Sequence, residues 1–223
     1  MCLKSSTCRV ELERAQLVRE SDIKKLDING ILVVASNPLS DLENVEIEGK
    51  TVLNSIKNLP RVKTKLLCGD DASKENVIEA IKSGEYQAIH YSGHSNFEER
   101  SPGTSYLLMK HGRHLMADDL ARLSKENDLR LVFLNSCLSA ATRIDLFQIT
   151  GLASAFVKTG VPYVIGMRWS VTDKGATLLS QEFYKELIST KDPVEALRKS
   201  RIYVGHRTDW KDPAWAAPVI YIA

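Results

Sequence analysis

The stretch YQAIHYSGH, residues 86–94, is a short apolar run that ends in Ser-Gly-His. An imidazole at the exit of a buried strand is bulky, partly polar and titrates near neutral pH, so it implies a partner. A second run of the same build, LRLVFLNSC (129–137), ends in Ser136-Cys137. In an open parallel sheet the loops at the carboxyl ends of the strands converge on one crevice. With the strands read as YQAIHYS (86–92) and LRLVFLN (129–135), His94 and Cys137 each stand two positions past the last strand residue. If the two strands are neighbours, about 4.8 Å apart, both side chains emerge at one place.

Working outward, the other strand candidates are ILVVAS (31–36), VKTKLL (62–67), VPYVIGM (161–167) and PVIYI (218–222), each apolar or β-branched and bounded by Gly, Pro, Asn or Asp. Helical patterns fall at about 43–58, at 73–84 with Ser73 as N-cap and Gly84 as stop, and at about 117–124, 150–159, 173–189 and 192–204. Strands alternating with helices predict a mainly parallel α/β sheet covered on both faces, a three-layer sandwich. SYLLMKHGRHLM (105–116) interrupts the alternation and reads as an inserted β-hairpin turning at His111-Gly112. Residues 1–28 carry Val10, Leu12, Leu17, Val18, Ile23 and Leu26 at loosely helical spacing and read as a leader helix or linker, with the domain at 29–223.

Thirty Lys and Arg against 28 Asp and Glu leave a formal charge of +2, with no basic block interleaved with aromatics, so direct nucleic-acid binding is not expected. Apolar runs such as GILVVAS are too short to span a bilayer and the amino terminus lacks a signal-peptide core, which makes the cytosol the expected location. The four cysteines form no CxxC pair and read as reduced thiols, Cys2 and Cys8 as incidental and Cys68 as a small apolar filler at a strand end. His90, within its strand, reads as a core histidine. His90, His94, His111 and His114 do not offer the compact spacing of a metal site, and neither a metal nor another cofactor is expected. GDDASKEN (69–76) reads as a turn into a helix cap rather than a carboxylate pair for chemistry. The loop SNPLSD (36–41) has no glycine-rich phosphate cradle and reads as carrying no acidic residue at the strand exit itself. That disfavours a receiver-like or flavodoxin-like domain, which the same alternation of elements would permit.

A thiol at its reference pKa is only a few per cent thiolate at neutral pH, and an adjacent imidazole accepts its proton and later protonates a leaving amine. The histidine precedes the cysteine by 43 residues, and in caspases the histidine lies about 50 residues upstream. HYSGH, a hairpin, LVFLNSCLS, and VPYVIGMRWSVTD with its Trp169 and Asp173 together resemble the CHAT domain, a caspase-like cysteine protease family related to caspases and separases. The resemblance covers nearly everything from about residue 30 to 223. It implies a caspase-type fold with strand order 2-1-3-4-5-6, His94 as general base, Cys137 as nucleophile, and an oxyanion hole from the backbone N–H groups of Ser95 and Cys137. Family members commonly carry glycine where this chain has Ser95; a serine keeps the N–H but adds a Cβ beside the cleft.

In this fold a peptide adds as an extended strand. The resemblance places the pocket for the side chain before the cut at the exits of the first and fourth strands, here Asn37 and Asn135, with Arg168, Trp169 and Ser170 lining the peptide path. Relatives that cut after Arg or Lys carry aspartates in that pocket. Two neutral amides point to a neutral side chain at the cut, unless Asp173 reaches the pocket. The expected partners are a protein substrate and a regulatory protein or sensor, within a bacterial defence or cell-death system. The alternative is a protease-like scaffold without turnover that works as an interaction module.

Overall fold

The computed structural model describes residues 9–11, 14–16, 25–42, 44–57, 61–96, 98, 101, 104–137, 153, 160–169 and 171–223. Its strands are β1 (Arg9–Glu11), β2 (Arg14–Gln16), β3 (Gly30–Ser36), β4 (Lys63–Cys68), β5 (Ala88–Asn96), β6 (Tyr106–Leu108), β7 (His114–Met116), β8 (Leu131–Cys137), β9 (Tyr163–Met167) and β10 (Pro218–Ile222). The helices are α1 (Val45–Ile56), α2 (Lys74–Lys82), α3 (Ala117–Glu126), α4 (Asp173–Thr190) and α5 (Pro193–Arg207).

The central sheet runs β4-β3-β5-β8-β9-β10. Numbering only these six strands along the chain gives 2-1-3-4-5-6, the order expected for the caspase-type fold. Pairing is parallel from β4 to β9, and β10 closes the edge antiparallel to β9. Strand side chains alternate between faces, and the core divides accordingly. Leu32, Val34, Ile89, Tyr91, Val132 and Leu134 pack on the side of α2 and α3. Ile31, Val33, Leu131, Phe133, Ile165 and Met167 pack on the side of α1, α4 and α5. In β3 the residues Ile31 to Val34 are all at most 1% exposed. Removing each of these side chains from water contributes about 1.5–3 kcal/mol, so both faces of this strand hold the layers together.

Local signals explain the element ends. Ser73 accepts the Asn76 N–H at 3.2 Å and starts α2, and Gly84 lies beyond that helix with φ +68. Asp192 caps α5 by accepting from Val194 and Glu195, both at 2.9 Å, with Pro193 in its first turn. The inserted hairpin is β6–β7, turning through His111 (φ 59) and Gly112 (φ 68), with Tyr106 stacked on His114.

Two expectations need correction or fall elsewhere. The described parts of the leader are not helical: β1 and β2 pair antiparallel, Val10 opposite Ala15. Alternation of polar and apolar residues in RVE and RAQ fits a hairpin ribbon at least as well as the loose helical spacing. The helix expected over 150–159 lies outside the described residues except Ala153, which is helical, and Cys2 and Cys8 lie outside them too.

Candidate active site at the ends of β5 and β8

β5 and β8 are direct neighbours, and their register sets Ser92 opposite Asn135, Gly93 opposite Ser136 and His94 opposite Cys137. The two residues singled out in the sequence therefore share one rung at the carboxyl end of the sheet. β5 runs to Asn96, further than its apolar run, because its polar end gains a second partner: Ser95 pairs with Leu107 and Asn96 with Tyr106 of the hairpin.

Several groups fix the backbone at this rung. Gly93 has φ +151, a region that L side chains rarely adopt, and a Cβ there would stand 2.4 Å from the Ser36 carbonyl oxygen. Tyr91, fully buried, donates its hydroxyl to the His94 carbonyl at 2.6 Å and shares it with the Leu108 carbonyl at 3.0 Å. Burial pushes its phenol well above the ordinary value, so it stays a donor. Ser36 also donates to the Leu108 carbonyl at 2.8 Å, which ties the hairpin to the end of β3. Ser95 points its hydroxyl at Ser136 Oγ, 2.8 Å away, and so joins β5 to β8 beside Cys137.

The His94 ring is 6% exposed, and its Nε2 lies 2.7 Å from Oδ1 of Asp41, whose side chain is half exposed. The hydrogen bond from the imidazole holds the Asp41 carboxyl below its ordinary value. This acid was not foreseen from sequence. It stands five residues past Ser36, where the turn Asn37-Pro38 returns the chain toward the sheet, so the exit of the first strand does carry an acidic residue. Asn37 closes that loop with both ends of its amide: Nδ2 donates to the Leu42 carbonyl at 2.8 Å, and Oδ1 accepts the Leu42 N–H at 3.3 Å.

A second polar cluster lies deeper under the same strands. Oε1 of Glu48, on α1, accepts from Asn135 Nδ2 at 2.6 Å, from His90 Nε2 at 3.2 Å and from Ser180 Oγ at 3.4 Å. His90 Nε2 is also 3.0 Å from Ser92 Oγ. Glu48, His90, Ser92, Asn135 and Ser180 are all buried. His90 Nδ1 and the Tyr184 hydroxyl are buried among the aromatics, without hydrogen-bond partners among the described residues. Burial first, and then the charge of Glu48, push the Tyr184 phenol well above its ordinary value. Glu48 was missed although a signal existed. The buried stripe of α1 is Val45, Glu48, Gly49, Val52 and Ile56, and position 48 falls on it by spacing alone.

After β9 the Arg168 guanidinium donates to the Ala216 carbonyl and lies 4.8 Å from the centroid of the Trp169 ring. Arg168 Nε and the Trp169 indole N–H are buried donors without acceptors among the described residues. Asp173 opens α4, while Ser170 lies outside the described residues. The structure thus brings His94 and Cys137 to one rung, puts Asn135 one pleat repeat beneath them, and commits the Asn37 amide to its own loop. Among the described residues no group of three or more His, Cys, Asp or Glu could hold a metal ion, and no helix is long and apolar enough to cross a membrane.

No curated protein matches the chain. Among solved structures, the separase–securin complex of Saccharomyces cerevisiae matches with a TM-score of 0.53 and 21% identity, over 88% of this chain and 12% of that one. That likeness concerns the fold, and this chain spans only a small part of the length of that protein. The family model of the CHAT domain matches residues 3–222, nearly the whole sequence, and with the caspase-like strand order in place the chain belongs to the CHAT domain family.

Proposed function

We propose that the chain is a cysteine endopeptidase working through Cys137 and His94. One observation carries the reading: the register of β5 on β8, which puts a cysteine and a histidine on the same terminal rung of a caspase-like sheet. The Cys137 thiol gives its proton to His94 as sulfur attacks the scissile carbonyl carbon. The C–N bond breaks as the imidazolium protonates the departing amine. Water, deprotonated by the same ring, then releases the acid from the thioester. The backbone N–H groups of Ser95 and Cys137 are proposed to hold the oxyanion, a role worth about 3 kcal/mol per donor.

Substrate is proposed to bind as an added strand past Arg168, Trp169 and Ser170, with Asn135 at the pocket for the residue before the cut. An amide there suits a neutral side chain. Glu48 favours a second reading, since its carboxylate stands directly behind the Asn135 amide and would attract Lys or Arg. Asp173 is a further candidate for that charge. Cleavage of a peptide library separates the readings: dominant cutting after Arg or Lys discards the neutral pocket.

A regulatory protein partner is part of the proposal, with securin bound to separase as the parallel and bacterial defence or cell death as the proposed setting. The alternative remains a silent interaction scaffold. Mapping new protein termini in lysate with the wild type and with Cys137→Ala decides between them. Cuts made only by the wild type support the protease, and identical termini, with a Cys137 that resists an acyloxymethyl ketone probe, support the scaffold.

A further inference from the structure

The rung of His94 and Cys137 accounts for a nucleophile and a base but leaves open which imidazole nitrogen does the work. The two nitrogens of a histidine are distinct, and the hydrogen bond made by one decides the state of the other. An ionised carboxylate can only accept. Asp41 Oδ1 at 2.7 Å from Nε2 therefore requires the proton on Nε2, which assigns the lone pair to Nδ1.

We propose that Asp41 is a positioning residue that fixes the His94 tautomer, so that Nδ1 is the nitrogen that accepts the Cys137 proton, and that Asn37 acts through Asp41 by closing the loop that presents it. This rests on the reading of His94 as the base. The loop has the build of a presenting device. Ser40 takes φ 57, a conformation costly for a non-glycine residue, and its N–H bonds to the Asn37 carbonyl at 3.2 Å. The Asn37 amide then clips both backbone groups of Leu42, so residues 37–42 form a closed ring with Asp41 inside it. The ring it serves is almost wholly buried and its backbone is held by Tyr91, so the acid has only orientation and proton placement left to decide. Asp41 itself is half exposed; its charge is screened by water, and the hydrogen bond, not long-range attraction, is its contribution.

The test uses the full chain. Nitrogen-15 NMR of labelled histidine reads the His94 tautomer, and the rate of iodoacetamide alkylation, resolved by peptide mapping among the four cysteines, reads Cys137. The wild type shows the Nε2–H form of His94. Asp41→Ala mixes the tautomers and slows alkylation of Cys137 about 10- to 100-fold, the range usual for partners that orient a reacting group. Where a cleavable peptide is in hand, kcat falls by the same factor with KM unchanged. Asn37→Ala, which removes the amide clip on Leu42, produces a smaller loss of the same kind, and Asp41→Glu recovers part of it. An unchanged tautomer in Asp41→Ala overturns the proposal, as does a changed tautomer with an unchanged alkylation rate. Both readouts are independent of proteolysis. A chain that cuts no peptide yet shows the Asp41-dependent tautomer and alkylation defeats the protease reading and leaves the role of Asp41 standing.

Discussion

β5 carries two histidines four residues apart, and each meets a carboxylate from the loop or helix that follows β3. His90 meets Glu48 with side-chain exposures of 0% and 7%, and His94 meets Asp41 with 6% and 52%. The chemistry of the two pairs is the same and their surroundings are not. Glu48 is shared with Asn135 and Ser180, and His90 packs against Tyr184 and Phe133, so that pair belongs to the interior. The His94 pair stands where the sheet ends, at the rung of a cysteine, with a carboxylate that water reaches. A histidine–carboxylate contact is thus no sign of catalysis by itself; what supports the proposed role of His94 is its place at the carboxyl end of the sheet, on the rung of a cysteine.

The comparison is broken most directly by exchanging the damage. His94→Ala or Cys137→Ala is expected to lower peptide cleavage by about 10⁴-fold or more, as for members of a unit that acts together, while thermal unfolding stays within a degree or two. Retained cleavage in either variant, measured on a mapped substrate, removes the replaced residue from the mechanism.

Glu48→Ala is expected to do the reverse. It strands the donors of His90, Asn135 and Ser180 in a buried space, at a cost of about 3 kcal/mol. For a chain of this size that lowers the melting temperature by about 6–12 °C. Calorimetry that finds Glu48→Ala as stable as the wild type means the cluster is open to water and is not a structural core.

Gly93→Val tests the backbone between the two pairs. The φ of +151 and the approach of Ser36 to 2.4 Å from a built Cβ leave the side chain no place. A loss of about 1–3 kcal/mol is expected from strain of this kind, with the β3–β5 rung displaced. Urea unfolding that shows no change would mean that the kink is not needed to turn His94 into the cleft.

What the sequence disclosed and what it hid follow the same division. Apolar blocks bounded by Gly and Pro are local, and PVIYI (218–222), the Ser73 cap and the His111-Gly112 turn are where local chemistry puts them. The rung of His94 and Cys137 was legible because two strands ended in reactive residues at the same offset. Asp41 was not, since its partner is 53 positions away and an Asp ahead of a helix ordinarily reads as a cap. Glu48 was legible in principle, through its place on the buried stripe. Acidic residues in a helix are nearly always solvated, and only the close approach of Gly49 to Ala35, where a Cβ would stand 2.7 Å from the Ala35 Cβ, brings that turn of α1 down onto the sheet.

The smallest expected effect concerns acid. The Asp41 carboxyl is held below its ordinary value of 3.8 by the His94 hydrogen bond, so the carboxylate binds its proton less readily in the folded chain than in the unfolded one. Stability from that contact is therefore complete above the unfolded value and disappears as pH falls through the lower, folded one. Asp41→Ala should lie slightly below the wild type in urea unfolding at pH 7 and approach it only as pH falls below 3.8 and through the lower, folded value, because at the acid end both have lost the contact. The gap is small because water screens a half-exposed carboxylate. A gap that widens toward acid has the wrong sign for a hydrogen-bonded carboxylate, and it would mean that Asp41 meets His94 in some other way than as the acceptor of its Nε2 proton.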